Sequence, residues 1–212
     1  MSSFMSSFLR PWAFYFSQPR PLKDDPTGSP SHTDSDHNHF LSLADQGPID
    51  VAPTDMPNLY DILLSDIDEK ALHNEISTAL GSAYLSETPC LTSPLTTVDG
   101  IVFGGHNRVL FPLVVRFPRK SHSYVMHFLY NSGSPHTFLS REACDKLFGT
   151  NPVPTNFLIQ INGGDKIIVN PPNANSHFEH VNLLGTDFCT LSESIVTVNY
   201  KEKIATMHFP SD

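Results

Sequence analysis

From Pro94 to Phe209 the chain alternates short apolar runs with tight polar turns, a rhythm that leaves room for little besides a sheet built of hairpins. Phe111-Pro112-Leu113-Val114-Val115-Arg116-Phe117 and Tyr124-Val125-Met126-His127-Phe128-Leu129-Tyr130 flank the turn Arg119-Lys120-Ser121-His122, which predicts a first hairpin. Pro112 has no backbone N–H to give a ladder, so its strand is expected at a sheet edge or at its own start there. A second hairpin is expected from Phe157 to Ile161 and Lys166 to Val169, because Asn162-Gly163-Gly164-Asp165 accepts the positive φ angles of a tight turn. Ser194 to Asn199 and Ile204 to Phe209 predict a third across Tyr200-Lys201-Glu202-Lys203. A short helix is expected over 141–148, capped by Ser140 and ended by Gly149.

Upstream the composition changes. Leu64, Ile67, Ala71, Leu72, Ile76, Ala79, Leu80 and Ala83 fall at steps of three and four, which predicts an amphipathic helix between Asn58 and Leu85. Asp61, Asp66, Asp68 and Glu69 gather in its first half and suit the positive end of a helix dipole, and Gly81 marks its fraying end. From Gln18 to Thr54 the text is Pro, Ser, Asp and His, with too little apolar surface to offset the entropy of ordering. The expected organisation is a disordered arm over 1–57, a helical segment over 58–93 and a β-domain over 94–212. His32, His37 and His39 with Asp34 and Asp36 offer metal donors, but a solvated tract without a scaffold fixes no geometry, so no metal or cofactor is expected.

A net charge of −9 and a pI near 5.6 argue against a nucleic-acid ligand, which needs clustered Lys and Arg. No run approaches the roughly 20 apolar residues that span a bilayer, so no membrane partner is expected. Met1 to Lys23 contains no acid and overlaps in composition with transit peptides, yet Pro11 interrupts its apolar stretch, and an unstructured tail on a cytoplasmic protein is the preferred reading. Cys90, Cys144 and Cys189 are odd in number and far apart, which fits neither a disulfide framework nor a zinc site and points to a reducing interior.

The stretch Phe128-Leu129-Tyr130-Asn131-Ser132-Gly133-Ser134-Pro135-His136-Thr137-Phe138 runs an apolar strand into a Ser-Gly turn headed by an amide. An amide cannot trade protons near neutral pH as a carboxyl does. With Leu183-Leu184-Gly185-Thr186-Asp187-Phe188 further on, and the hairpins and helix in the same order, the region from Leu113 to Phe209 resembles the retropepsin-like aspartic peptidase family. The likeness is to the peptidase domains of long-terminal-repeat retroelements and their domesticated relatives.

That resemblance implies a mainly β fold, the small β-barrel half of an acid protease with short helices. It places Asn131, Ser132 and Gly133 in the family's Asp-Thr/Ser-Gly catalytic loop and Ser134, His136, Leu184, Gly185 and Asp187 on a binding surface, with an extended peptide or protein partner and a homodimer. In the family, two chains each supply one Asp, and the pair shares a proton to activate water. Asn131 removes that chemistry, and His136 is the one tempting substitute base, though a structural role is the preferred reading. Thr150 to Asn156, with Pro152 and Pro154, leaves no room for a further hairpin, so the flap that closes over substrate is expected to be missing. Thr186 and Pro135 stand where many retroviral relatives carry charges that knit the dimer. The expected function is therefore an inactive pseudopeptidase that dimerises or holds a peptide. Two alternatives stand beside it: an active peptidase, after Asn131 deamidation or with an Asp-bearing partner, and an adaptor working through the acidic helix 58–85.

Overall fold

The computed structural model describes residues 60–118 and 120–210. The arm expected over 1–57, with its His tract and its transit-like start, lies outside the described residues. Residues 60–68 run without a helical turn, as a strap leading into helix α1. That helix consists of three consecutive pieces, Glu69–Ala71, Leu72–Ile76 and Ser77–Leu80, the middle one wound as a π-helix. Asp68 caps it, its Oδ1 accepting the Ala71 N–H at 2.7 Å. Within it, the Ser77 hydroxyl donates to the Leu72 carbonyl at 2.7 Å, a bond that follows the wider π turn. Gly81 ends it in the left-handed conformation at φ 65°.

The helix expected over 58–85 is thus shorter at both ends. Leu64 and Ile67 fitted the helical spacing, but they are buried from the strap. Asp61 and Asp66, read as dipole partners, instead bind His177 and Arg108. Beyond the helix, Leu85 and Ser86 exchange backbone hydrogen bonds with Val125, and Glu87–Pro89 forms β1 on the edge of the sheet.

The remaining strands are β2 (Thr97–Phe103), β3 (Arg108–Arg116), β4 (His122–Tyr130), β5 (Phe157–Ile161), β6 (Lys166–Val169), β7 (Asn182–Leu184), β8 (Ile195–Asn199) and β9 (Ile204–His208). Helices α2 (Arg141–Phe148) and α3 (Thr186–Leu191) interrupt them. The fold is mainly β. Its path runs β1-β4-β3-β2-β9-β8, with the β5–β6 hairpin attached to β3 and β7 attached to β4 in parallel. All three expected hairpins are present, and Asn162 and Gly163 take the positive φ angles their turn requires.

Pro112 corrects one expectation. It lies in the middle of β3, a central strand, and not at an edge or a strand start. On the side away from β4, β3 pairs with β2 only up to Leu110 and with β5 only from Val115, so the missing N–H falls in the gap where β3 changes partner. Gly100 sits beside that gap, where an added Cβ would stand 2.4 Å from the Leu110 carbonyl oxygen. Strand β2 had no counterpart in the sequence reading, although Gly104-Gly105-His106-Asn107 is a turn signal between two apolar runs.

The core runs through all of these elements. Leu110, Phe111, Leu113, Met126 and Phe128 from the central strands are fully buried together with Leu72 and Ile76 of α1. The segment 60–93 therefore contributes to the same hydrophobic core as the strands that follow it. Below the apolar layer a polar network joins the helices to the sheet. The Tyr84 hydroxyl meets the Ser140 hydroxyl at 2.9 Å and accepts from Asn182 at 3.0 Å, while Asn182 also binds the Ser140 N–H and the His127 carbonyl.

Candidate functional site

Strand β4 delivers Asn131 at its end, and β7, running parallel beside it, delivers Leu184 and Gly185 to the same place. The Asn131 N–H donates to the Leu184 carbonyl at 3.0 Å, so the two motifs are joined directly. Asn131 then starts a tight turn: its carbonyl accepts the Ser134 N–H at 3.0 Å, and its Oδ1 accepts the Gly133 N–H at 3.1 Å. Ser132 and Gly133 are exposed at the tip.

Ser134 is fully buried, with its hydroxyl donating to the His136 carbonyl at 2.6 Å and its own carbonyl accepting the Thr186 N–H at 2.8 Å. Gly185 lies so close to this loop that a Cβ would stand 2.3 Å from the His136 carbonyl oxygen, closer than real Cβ contacts come. Asp187 is committed as well. Its carboxylate accepts the Thr137 N–H at 2.9 Å, the Thr137 hydroxyl at 2.6 Å and the Phe188 N–H at 2.7 Å, while the Thr137 hydroxyl also accepts the Gly185 N–H. Phe138 exchanges two backbone bonds of 2.9 Å with Leu183 and locks the loop onto β7.

Each residue proposed from sequence thus has a definite place. Asn131, Gly133, Ser134, Leu184, Gly185 and Asp187 belong to one hydrogen-bonded and closely packed unit, with Ser132 at its tip. His136 enters it through its backbone carbonyl, and its Nε2 is buried with no hydrogen-bond partner among the described residues.

Sequence reasoning missed the strap. The Asn131 side-chain NH₂ donates to the Tyr60 hydroxyl at 2.6 Å. The Tyr60 ring stacks on Phe138 at 5.6 Å and tilts against Phe178, and its carbonyl accepts from Asn173 at 2.6 Å. The next residue, Asp61, binds His177 through the backbone N–H at 3.0 Å and Nδ1 at 2.7 Å. Partial burial pushes the Asp61 carboxyl up, but these bonds outweigh it and hold the group below the ordinary carboxylate range. Ile62 completes a hollow of about 220 Å³ beside the loop, lined also by Arg108, Leu129, Asn131, Ser132 and Tyr200. That volume is below the ~300 Å³ at which small-molecule pockets begin, and suits single side chains of a longer ligand.

Chemically the loop is well placed and poorly equipped. The described partners of the Asn131 side chain are the Tyr60 hydroxyl and the Gly133 N–H, and the nearby Asp187 carboxylate is taken up by three donors. The β5–β6 turn does not stand over the loop. Asn162 ties it to the middle of β3, through its N–H to the Val114 carbonyl at 2.8 Å and its Oδ1 from the Val114 N–H at 2.9 Å. Residues 149–156 and 170–181 add no further strand. Among known proteins, no family model and no curated relative matches the chain.

Proposed function

We propose that the chain is a retroelement-derived, retropepsin-like domain that has given up peptidase chemistry and holds an extended peptide segment beside the Asn131 loop. The observation that carries this reading is the occupant already there: Tyr60 and Ile62 of the chain's own strap lie against the loop, with Asp61 between them held by His177, and Asn131 spends its side chain binding the Tyr60 hydroxyl. An amide at that position supplies a donor and an acceptor for a ligand but no general base for water.

The alternatives fare less well. Deamidation of Asn131 would have to act on a side chain whose oxygen and nitrogen both make hydrogen bonds. An adaptor working through the helix would need its apolar face, and Leu72 and Ile76 are wholly buried. Self-association belongs to the preferred reading and is supported by the outer edge of β8, which no strand among the described residues pairs with and where Ile195 is 66% exposed. A reducing compartment such as the cytoplasm fits the free thiols of Cys90, Cys144 and Cys189.

Two measurements test the proposal. At mildly acidic pH the unmodified chain is expected to cleave no peptide; cleavage blocked by a pepstatin-type inhibitor would overturn the loss of catalysis. A fluorescent peptide with the sequence of residues 60–68 is expected to bind a Tyr60→Ala chain and to bind the native chain at least about tenfold more weakly, since the native site is filled. Binding to neither would remove the peptide-holding role and leave the lost chemistry standing.

A further inference from the structure

We propose that Glu69, His73, Glu142 and His180 form a site for a divalent transition-metal ion of the zinc class. Residues 69 and 73 are four apart on α1, so they project from neighbouring turns. Glu142 comes from the first turn of α2, and His180 from the segment that leads into β7. The donor atoms of Glu69, His73 and Glu142 all lie within 4.8 Å of one another. His73 Nε2 is 2.8 and 3.0 Å from the two Glu142 oxygens, and His180 Nδ1 is 3.8 Å from Glu69 Oε2.

Tetrahedral zinc, with bonds of about 2.0–2.2 Å, sets its donors roughly 3.4 Å apart. The His73–Glu142 contact of 2.8 Å and the His180–Glu69 contact of 3.8 Å straddle that spacing; His180 stands outside the three donors that lie within 4.8 Å of one another, and joins them by rotating toward the ion from its place beside Glu69. Two imidazole nitrogens and two carboxylate oxygens suit zinc and its neighbours better than calcium or magnesium, which prefer all-oxygen cages. Two carboxylates also balance the charge of a dication bound by neutral imidazoles.

The surroundings favour entry and hold the donors in place. His73, Glu142, Glu69 and His180 are each between 32% and 56% exposed, and Glu69, His73 and His180 line an open notch together with Asp68 and Lys70. Asp68 is already engaged as the α1 cap, and among the described residues Lys70 is the lysine in that lining. The edge of the His73 ring packs on Tyr84 at 5.1 Å, and the Ser140 cap fixes the turn that carries Glu142. Without metal, the four side chains make exposed His–Glu pairs, which are weak in water, so an ion has little to displace.

The test uses the full chain with His32, His37 and His39 changed to Ala, because the arm offers donors of its own. Zinc chloride is titrated against this chain by calorimetry and by thermal melting. The expected result is saturable binding of one zinc with a rise in melting temperature. His73→Ala and His180→Ala should each weaken zinc by more than about a hundredfold, beyond the roughly 10–100-fold that loss of an outer-shell partner produces, while leaving the metal-free melting temperature close to the parent's. The His180 side chain is itself exposed, so its variant decides the matter if His73→Ala does not fold. No saturable uptake in the arm-substituted chain, or uptake unchanged by His180→Ala, would overturn the proposal.

Discussion

Asn131 and Gly185 mark two kinds of constraint that a single residue can carry. The first is chemical: the amide allows hydrogen bonding and withholds proton transfer. The second is steric, because the space that a Gly185 Cβ would need is taken by the His136 carbonyl. Gly185→Ala is expected to lower stability by about 2–3 kcal/mol, checked by urea unfolding of the variant against the native chain; an unchanged midpoint would show that the loop yields. The cysteines offer a second check at this scale. A hydrogen bond from the Ser123 hydroxyl holds the Cys90 thiol below its ordinary range, whereas burial pushes Cys144 up to about 12 and Cys189 upward. A maleimide at pH 7 should modify Cys90 first and Cys144 last, as read by peptide mass spectrometry over time.

Among the elements, α1 departs furthest from its sequence pattern. The apolar spacing from Leu64 to Ala83 fits one long helix, yet the Asp68 cap starts it late and Gly81 stops it. What lies before the cap is recruited by distant partners, Arg108, His177 and Asn131, that no local window contains. Helix α2, by contrast, obeys its local signals, with Ser140 at the cap and Gly149 after the last turn. Ser140 also reaches Tyr84, so Ser140→Ala removes both a cap and a buried hydrogen bond, and is expected to cost about 2 kcal/mol. Ser140→Thr, which keeps the hydroxyl, should recover part of that loss in the same denaturation measurement. Leu72→Ala tests the docking of α1, with an expected loss of about 3 kcal/mol for a fully buried leucine.

For the whole molecule the buried histidine among the described residues matters most: His127 is fully enclosed between Tyr84 and α1, and its Nδ1 has no partner among those residues. Burial depresses it to about 4, opposed by the backbone of Ser82 and Leu72, which favours a donating imidazolium, and assisted by the charge of His73. The folded value lies below the unfolded one near 6.5, so the unfolded chain binds the extra proton, and stability falls as pH drops from about 6.5 to about 4. The loss at the acid end is about 3 kcal/mol. His127→Gln should flatten that part of the stability–pH curve; an unchanged slope would place the dependence elsewhere.

The sheet was legible because hairpins are local. Adjacent apolar runs and a turn with positive φ at Asn162 and Gly163 specify their own register. The Asn131 and Gly185 motifs were legible for a similar reason, since tight turns and close approaches demand particular residue types. Their meeting, the place of Pro112 within a central strand, the Tyr60 strap over Asn131 and the gathering of Glu69, His73 and Glu142 depend on segments far apart in the chain, 71 positions for Tyr60 and Asn131 and 69 for His73 and Glu142. By itself the sequence determined turns, caps and the absence of a carboxyl at position 131. Only the tertiary structure decided which distant side chains those local pieces would face, because burial of the shared apolar core, not any local preference, brings them together.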